Sequence, residues 1–295
     1  MEIKYEQKDL YHYTSIDTLY AIVKNRTIRL TDYRFLNDKK ELTFGINAIK
    51  KSKRKSKINV PIVDKLISNV EKNISEYQLP MWLASNDRLI LKPQTCFDTK
   101  IYTLSTSYEN DSKYMWKHYA KNNGCRLKLN GAKLSEYVNK VNDEFIARGF
   151  INVIRGDVLY GRKVKNLFGE LICQHLIEKD DFIYNAYNVF YQLCALHKAK
   201  KWTKEHEYRI GLRFLDEWFE DEYAYDALGK EKIVKKINVR DKSQLELLNF
   251  PVEDIIEDVM ISPYGCTKNT EEIENFLKVE TGKDIPVFKQ IKKYN

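Results

Sequence analysis

The chain has 295 residues, 43% of them hydrophobic and 31% charged, a balance that suits a folded protein with a sizeable core. No apolar run approaches the ~20 residues that span a bilayer, and the opening Met1-Glu2-Ile3-Lys4-Tyr5-Glu6-Gln7-Lys8 lacks the apolar stretch of a signal peptide, so a cytoplasmic protein with no membrane partner is expected. The five cysteines (Cys96, Cys125, Cys173, Cys194, Cys266) are odd in number and widely spread, which fits reduced thiols better than a disulfide framework, and the net charge of +8 admits a nucleic-acid partner.

Residues 9 to 30 form the clearest local unit. Leu10-Tyr11-His12-Tyr13-Thr14 is strand-like, Ser15 is placed to cap a helix in which Leu19, Ile22 and Val23 recur at helical spacing, and Thr27-Ile28-Arg29-Leu30 alternates like a second strand. Asn37 or Asp38 can then cap the next helix. Residues 50 to 57 hold six basic side chains in eight positions and no apolar one. Such a run reads as a solvated helix end or loop, or as a grip on phosphates. Residues 62 to 83 are predicted helical and 84 to 98 irregular. A strand, Ile101-Tyr102-Thr103-Leu104-Ser105, runs into the hydroxyl cluster Ser105-Thr106-Ser107. The short helix Tyr114-Met115-Trp116-Lys117-His118-Tyr119-Ala120 is expected to end at Asn123-Gly124, with glycine supplying the left-handed stop. Cys125 to Leu129 reads as a strand, 131 to 148 as a helix, 151 to 160 as strand-like and 166 to 200 as mainly helical.

The run Trp202-Thr203-Lys204-Glu205-His206-Glu207-Tyr208-Arg209-Ile210-Gly211-Leu212 alternates as a strand does. It puts Glu205, Glu207 and Arg209 on one side and Tyr208, Ile210 and Leu212 on the other. The charged set could offer a general base and an anchoring carboxylate to a ligand. It reads equally as the solvated side of a half-exposed edge strand. A polar segment rich in Asp and Glu follows, then strands near 232 to 239 and 257 to 262 and a helix over about 270 to 281. That helix has Asn269 and Glu272 at capping-box spacing and Gly282 at its end. Pro286 confines any last strand to its start or to a sheet edge.

With no tandem repeat and no Gly/Pro/Ser-rich linker, the chain reads as a single α+β domain over 1–295. A mixed or antiparallel sheet core with a helical insertion around 130–200 is expected. A zinc site can be drawn from Cys194, His197 and Cys173-x-His175. The spacing matches no standard ligand pattern, buried helix residues explain it as well, and no metal is predicted. His118 is an acid-base candidate or a structural histidine, and Lys198 can bind an anion or pair with a glutamate. No phosphate-binding Gly-rich loop, zinc-protease motif or nucleophile elbow is present.

His12-Tyr13-Thr14-Ser15, Leu36-Asn37-Asp38 with Glu41, Met115-Trp116-Lys117-His118-Tyr119 with Gly124, and Lys198 followed by Trp202, Glu205, Glu207 and Arg209 resemble a bacterial family, domain of unknown function 2971, from about residue 9 to the 260s. That family supplies no established activity. A more distant resemblance is to ADP-ribosyltransferases, which carry in order an Arg or His on an early strand, a strand ending in Ser-Thr-Ser or an aromatic, and a Glu-x-Glu or single Glu near a later strand. Here His12, Ser105-Thr106-Ser107 and Glu205-His206-Glu207 fall in that order, and the opening His12-Tyr13-Thr14 before a short helix is similar to the start of the superfamily's DNA-modifying members.

That resemblance implies an ADP-ribosyltransferase-like architecture with NAD as substrate. His12 would hold the NAD ribose, and Ser105 and Thr106 would support the nicotinamide pocket. Glu207 would bind the nicotinamide ribose hydroxyl and stabilise the cationic transition state, while Glu205 would orient or deprotonate the acceptor. Tyr13, Thr14, Trp116, His118, Tyr119, Lys198 and Arg209 are further binding candidates. A toxin or phage-defence role, with a nucleic-acid or protein acceptor, is implied by the superfamily's habits. The spacing between the hydroxyl cluster and the Glu pair is longer than usual and requires the helical insertion. Two other classes stay open. One is a metal-dependent nuclease using Asp38, Glu41, Glu205 and Glu207, the other a non-catalytic nucleic-acid or partner-binding protein in which these charges form a structural network. Oligomeric state is left open.

Overall fold

Strand β1 (Asp9–Ser15) passes directly into helix α1 (Ile16–Asn25), and strand β2 (Ile28–Asp32) follows. The Ser15 hydroxyl accepts the Thr18 amide at 3.1 Å, satisfying one of the orphan donors of the first turn. Ile16, Leu19, Ile22 and Val23 are buried on the helix's inner stripe. The structure is a computed structural model and describes residues 8–38, 41–56, 64, 67–68, 99–146, 152–161, 191–215, 234–239 and 242–290. The expected helix over 62–83 (apart from 64, 67 and 68, which are helical), the irregular stretch 84–98, the insertion over 166–190, the acidic segment after Leu215, and Cys96, Cys173 and His175 lie outside the described residues.

The next elements in chain order are α2 (Glu41–Ser56), β3 (Thr99–Ser107), α3 (Lys113–Tyr119), β4 (Gly124–Asn130), α4 (Gly131–Ile146), β5 (Asn152–Asp157), β6 (Leu159–Tyr160) and β7 (His197–Lys198). A 3-10 helix (Lys200–Glu205), β8 (Glu207–Leu215), β9 (Val234–Val239), β10 (Lys242–Leu247), α5 (Val252–Ile255), β11 (Ile256–Ile261), α6 (Thr270–Thr281) and β12 (Val287–Lys289) complete the order. Among the described residues ten strands form one open sheet, antiparallel except where β12 runs parallel to β11. β6 and β7 make a separate parallel pair. The class is α+β.

Strand β3 organises this sheet. Along one edge β8 covers it without a break, from Thr99 opposite Leu215 to Ser107 opposite Glu207. A strand has two edges, so β1 and β2 must share the other. β2 meets it at Tyr102 and Thr103, and β1 meets it at Ser107. Beyond β2 lie β10 and β9; beyond β1 lie β4, β11 and β12. The sheet therefore forks along β3, and Ser105 sits in the crotch between the two attachment points.

The main core lies on one face of the sheet under α1, α4, α5 and α6, with Leu104, Leu127, Leu129, Ile210, Leu245 and Ile273 among its members. The tilted rings of Tyr20 of α1 and Phe276 of α6 pack at 4.2 Å between centroids. A second cluster, Tyr11, Tyr13, Met115, Trp116 and Ala120, seats α3 on the other side of β1. Among the described residues no helix is long and apolar enough to cross a membrane.

Several sequence expectations need correction. Strand β8 is flanked by β3 and β5, so it is interior, not a half-exposed edge. The left-handed residue after α3 is Asn123 (φ 58°); Gly124 opens β4, where an added Cβ would sit 2.4 Å from the Ala120 carbonyl oxygen. Close approach requires that glycine, not a helix stop. Within 130–200 the described residues are not all helical, since β5 joins the main sheet and His197-Lys198 form β7 after a helical turn over 191–195. β10 was not expected from the sequence, whereas α6 begins at the Asn269 cap and ends at Gly282 (φ 72°) as its signals require.

Candidate active site

Glu205 and Glu207 come from different elements. Glu205 is the last residue of the 3-10 helix and Glu207 the first of β8, with His206 between them in the left-handed region (φ 40°). The strand predicted through Glu205 thus breaks at His206. That turn still aims both carboxylates at one cation. Lys198 Nζ donates to Glu205 Oε2 at 2.7 Å and to Glu207 Oε2 at 2.9 Å, with all three side chains 5% exposed or less. Arg209 adds a second clamp on Glu207, through Nε to Oε1 at 2.7 Å and Nη2 to Oε2 at 3.1 Å, while its Nη1 donates to the Ala195 carbonyl at 2.7 Å. The four charges balance, which is what a desolvated cluster requires.

The two carboxyls are driven apart. Burial pushes Glu207 up, but Arg209 and Lys198, with hydrogen bonds from Arg209 and from the Ser105 hydroxyl, overcome it and hold the group near 2. Burial also pushes Glu205 up, and there it prevails, helped by the Glu207 charge and only partly opposed by Lys198 and Tyr119. Glu207 is a fixed anion. Glu205 is the carboxylate of the pair whose charge burial disfavours.

Glu205, itself buried, connects to the surface through Tyr119. The Tyr119 hydroxyl at the end of α3 donates to Glu205 Oε1, and accepts the Asn37 side-chain amide at 3.3 Å. Burial and the adjacent Glu205 charge push the Tyr119 phenol well up, so it remains a donor. Trp202 closes the other side. Its Nε1 donates to Asp38 Oδ2 at 2.8 Å, and Lys198 Nζ lies 5.1 Å from its ring centroid. The rim of the site is thus the Asn37-Asp38 segment, the end of α3 and the 3-10 helix.

At the fork, His12 and Ser105 join this network. The His12 Nδ1–H donates to the Ser105 carbonyl at 3.1 Å, on the edge of β3 that β1 and β2 leave uncovered. The Ser105 hydroxyl in turn donates to the Glu207 carboxylate. Burial lowers the His12 ring below its usual 6.5, against the Ser105 hydrogen bond. His12, Ser105 and Glu207 therefore sit on three adjacent strands, β1, β3 and β8, linked through Ser105.

The other predicted residues divide. Thr106 donates to the Tyr208 carbonyl at 2.9 Å and Ser107 to that of Glu205 at 2.6 Å, so these two hydroxyls satisfy backbone groups. The Tyr13 hydroxyl donates to the Glu109 carbonyl at 2.7 Å, and its ring packs edge-on against Trp116, whose Nε1 donates to Asp111 Oδ1 at 2.7 Å. Both residues anchor α3. Thr14 lies on β1 opposite Cys125, and His118 is exposed, stacked on Tyr114 at 4.0 Å. One participant was missed. Tyr160 accepts the Glu207 amide at its hydroxyl (2.8 Å) from the β6–β7 pair, and no local signal marks it. Among the described residues no group of His, Cys, Asp and Glu is arranged to hold a metal ion.

The family model described as "Protein of unknown function (DUF2971)" matches residues 115–210, from Met115 in α3 to Ile210 in β8. The matched stretch carries Tyr119, Lys198, Glu205, Glu207 and Arg209, and supports the family resemblance read from the sequence; His12 and Ser105 precede it. No curated protein and no solved structure matches the chain.

Proposed function

We propose that the chain is an NAD-consuming enzyme of ADP-ribosyltransferase type, a transferase or glycohydrolase, working at the fork of β3. The observation that supports this reading best is the hydrogen-bonded run from His12 through Ser105 to Glu207 on adjacent strands. These are the residues that the order of motifs pairs with the NAD ribose, the nicotinamide pocket and the reacting centre. Breaking the nicotinamide glycosidic bond develops positive charge on the ribose. Glu207, kept ionised by Arg209 and Lys198, presents a fixed negative charge for it. Glu205, whose carboxyl burial pushes up from its ordinary value, accepts the proton of the attacking water or hydroxyl, with Tyr119 orienting it from the rim. A toxin or phage-defence effector is the biological use that suits this chemistry.

A non-catalytic reading draws on the charge balance and near-complete burial of Lys198, Glu205, Glu207 and Arg209. The nuclease reading has less support, because Asp38, Glu205 and Glu207 each face N–H donors from Trp202, Lys198 or Arg209. Incubation with NAD and a cell extract, with nicotinamide measured by chromatography, separates these readings. Glu205→Gln lowers release by about 100-fold while the variant stays folded. Undiminished release from folded Glu205→Gln would refute the role given to Glu205.

A further inference from the structure

The rim of the site is basic and aromatic in alternation. The 3-10 helix exposes Lys200, Lys201 and Lys204 around the half-buried Trp202 ring, with Lys201 Nζ 4.9 Å from its centroid. On the neighbouring segment, Lys117 and Lys121 are exposed at the end of α3, beside the stacked pair Tyr114–His118. The Tyr119–Glu205 hydrogen bond ties these two segments together. The described carboxylates on the same segments have partners other than these lysines. Glu205 is committed to Lys198 and Tyr119, and Asp38 and Asp111 each accept an indole N–H. Among the described residues no carboxylate forms an ion pair with Lys117, Lys121, Lys200, Lys201 or Lys204.

We infer that this rim binds single-stranded nucleic acid, with phosphates along the lysines and unstacked bases against Trp202 and the Tyr114–His118 pair. Lysines that pair with no carboxylate among the described residues attract a polyanion, and flat rings among them accept bases whatever their sequence. A duplex hides its base faces inside its stack, so it offers the rings nothing. The inference goes beyond the NAD reading and requires no NAD chemistry, since it concerns the rim and not the fork.

Fluorescence anisotropy with a labelled oligothymidylate of about 20 nucleotides tests it on the full chain. Three phosphates engaged predict affinity about 20-fold weaker on going from about 50 mM to about 200 mM salt. The exposed triple variant Lys200→Glu/Lys201→Glu/Lys204→Glu is expected to stay folded and to lose this binding. An abasic oligomer of equal length is expected to bind about tenfold more weakly, because stacking is gone. No binding at the lower salt, or unchanged binding by the folded triple variant, would overturn the proposal. Equal affinity for the abasic oligomer or for heparin would overturn it in favour of non-specific polyanion attraction.

Discussion

Glu205 and Glu207 share Lys198, yet removing each charge has unequal consequences for the fold. Glu207 is wanted as an anion by two cations, so Glu207→Gln leaves Arg209 and Lys198 under-compensated in a buried site and costs about 3–5 kcal/mol. At Glu205 burial already disfavours the charge, and Lys198 retains Glu207, so Glu205→Gln costs about 1 kcal/mol or less. Urea denaturation of both variants at neutral pH checks the contrast. Equal losses would contradict it. Acid sharpens the same point. Glu207 lies at about 2 in the folded chain against an ordinary 4.5, so its contribution is complete above 4.5 and disappears as pH falls toward 2. Denaturation midpoints measured across that window should fall more steeply for the wild type than for Glu207→Gln.

Helix α2 packs so closely on the segment leading to Lys198 that a Cβ added to Gly45 would lie 2.5 Å from the Cys194 Cα. Gly45→Ala therefore forces the two apart, costs about 1–3 kcal/mol in thermal unfolding, and shifts Lys198 against its carboxylates. A variant as stable as wild type would show that the contact yields freely. Elements marked by local chemistry were legible in the sequence. Ser15 with the Leu19, Ile22, Val23 stripe announces α1, and Asn269, Glu272 and Gly282 bracket α6. The break at His206 was not legible, because Glu205, Glu207 and Arg209 keep a two-residue spacing through it and a left-handed histidine carries no mark of its own. Lys198 read as helical for a similar reason, since a two-residue strand is defined by its partner, here Leu159-Tyr160, and not by its own pattern. The Glu-x-Glu-x-Arg pattern grouped three residues that the structure also brings into one network. It did not show that they would be buried.

At the scale of the molecule, the fork is a product of pairing between strands far apart in the chain, so no window of sequence contains it. β1 and β2 compete for one edge of β3, and the gap between them places His12 beside Ser105. A ligand held there would touch both branches of the sheet and favour the folded chain. NAD at about 100 times its dissociation constant is therefore expected to add about 2.7 kcal/mol of stability, read as a higher melting temperature. The absence of any shift at millimolar NAD would contradict binding at the fork. The most direct test of the account is nicotinamide release from NAD by purified wild type and by Glu207→Gln, each with and without cell extract, on samples confirmed as folded by circular dichroism. Release by the wild type and a loss of at least about 100-fold in the variant are expected. No release by the wild type under either condition, or equal release by both proteins, would contradict it.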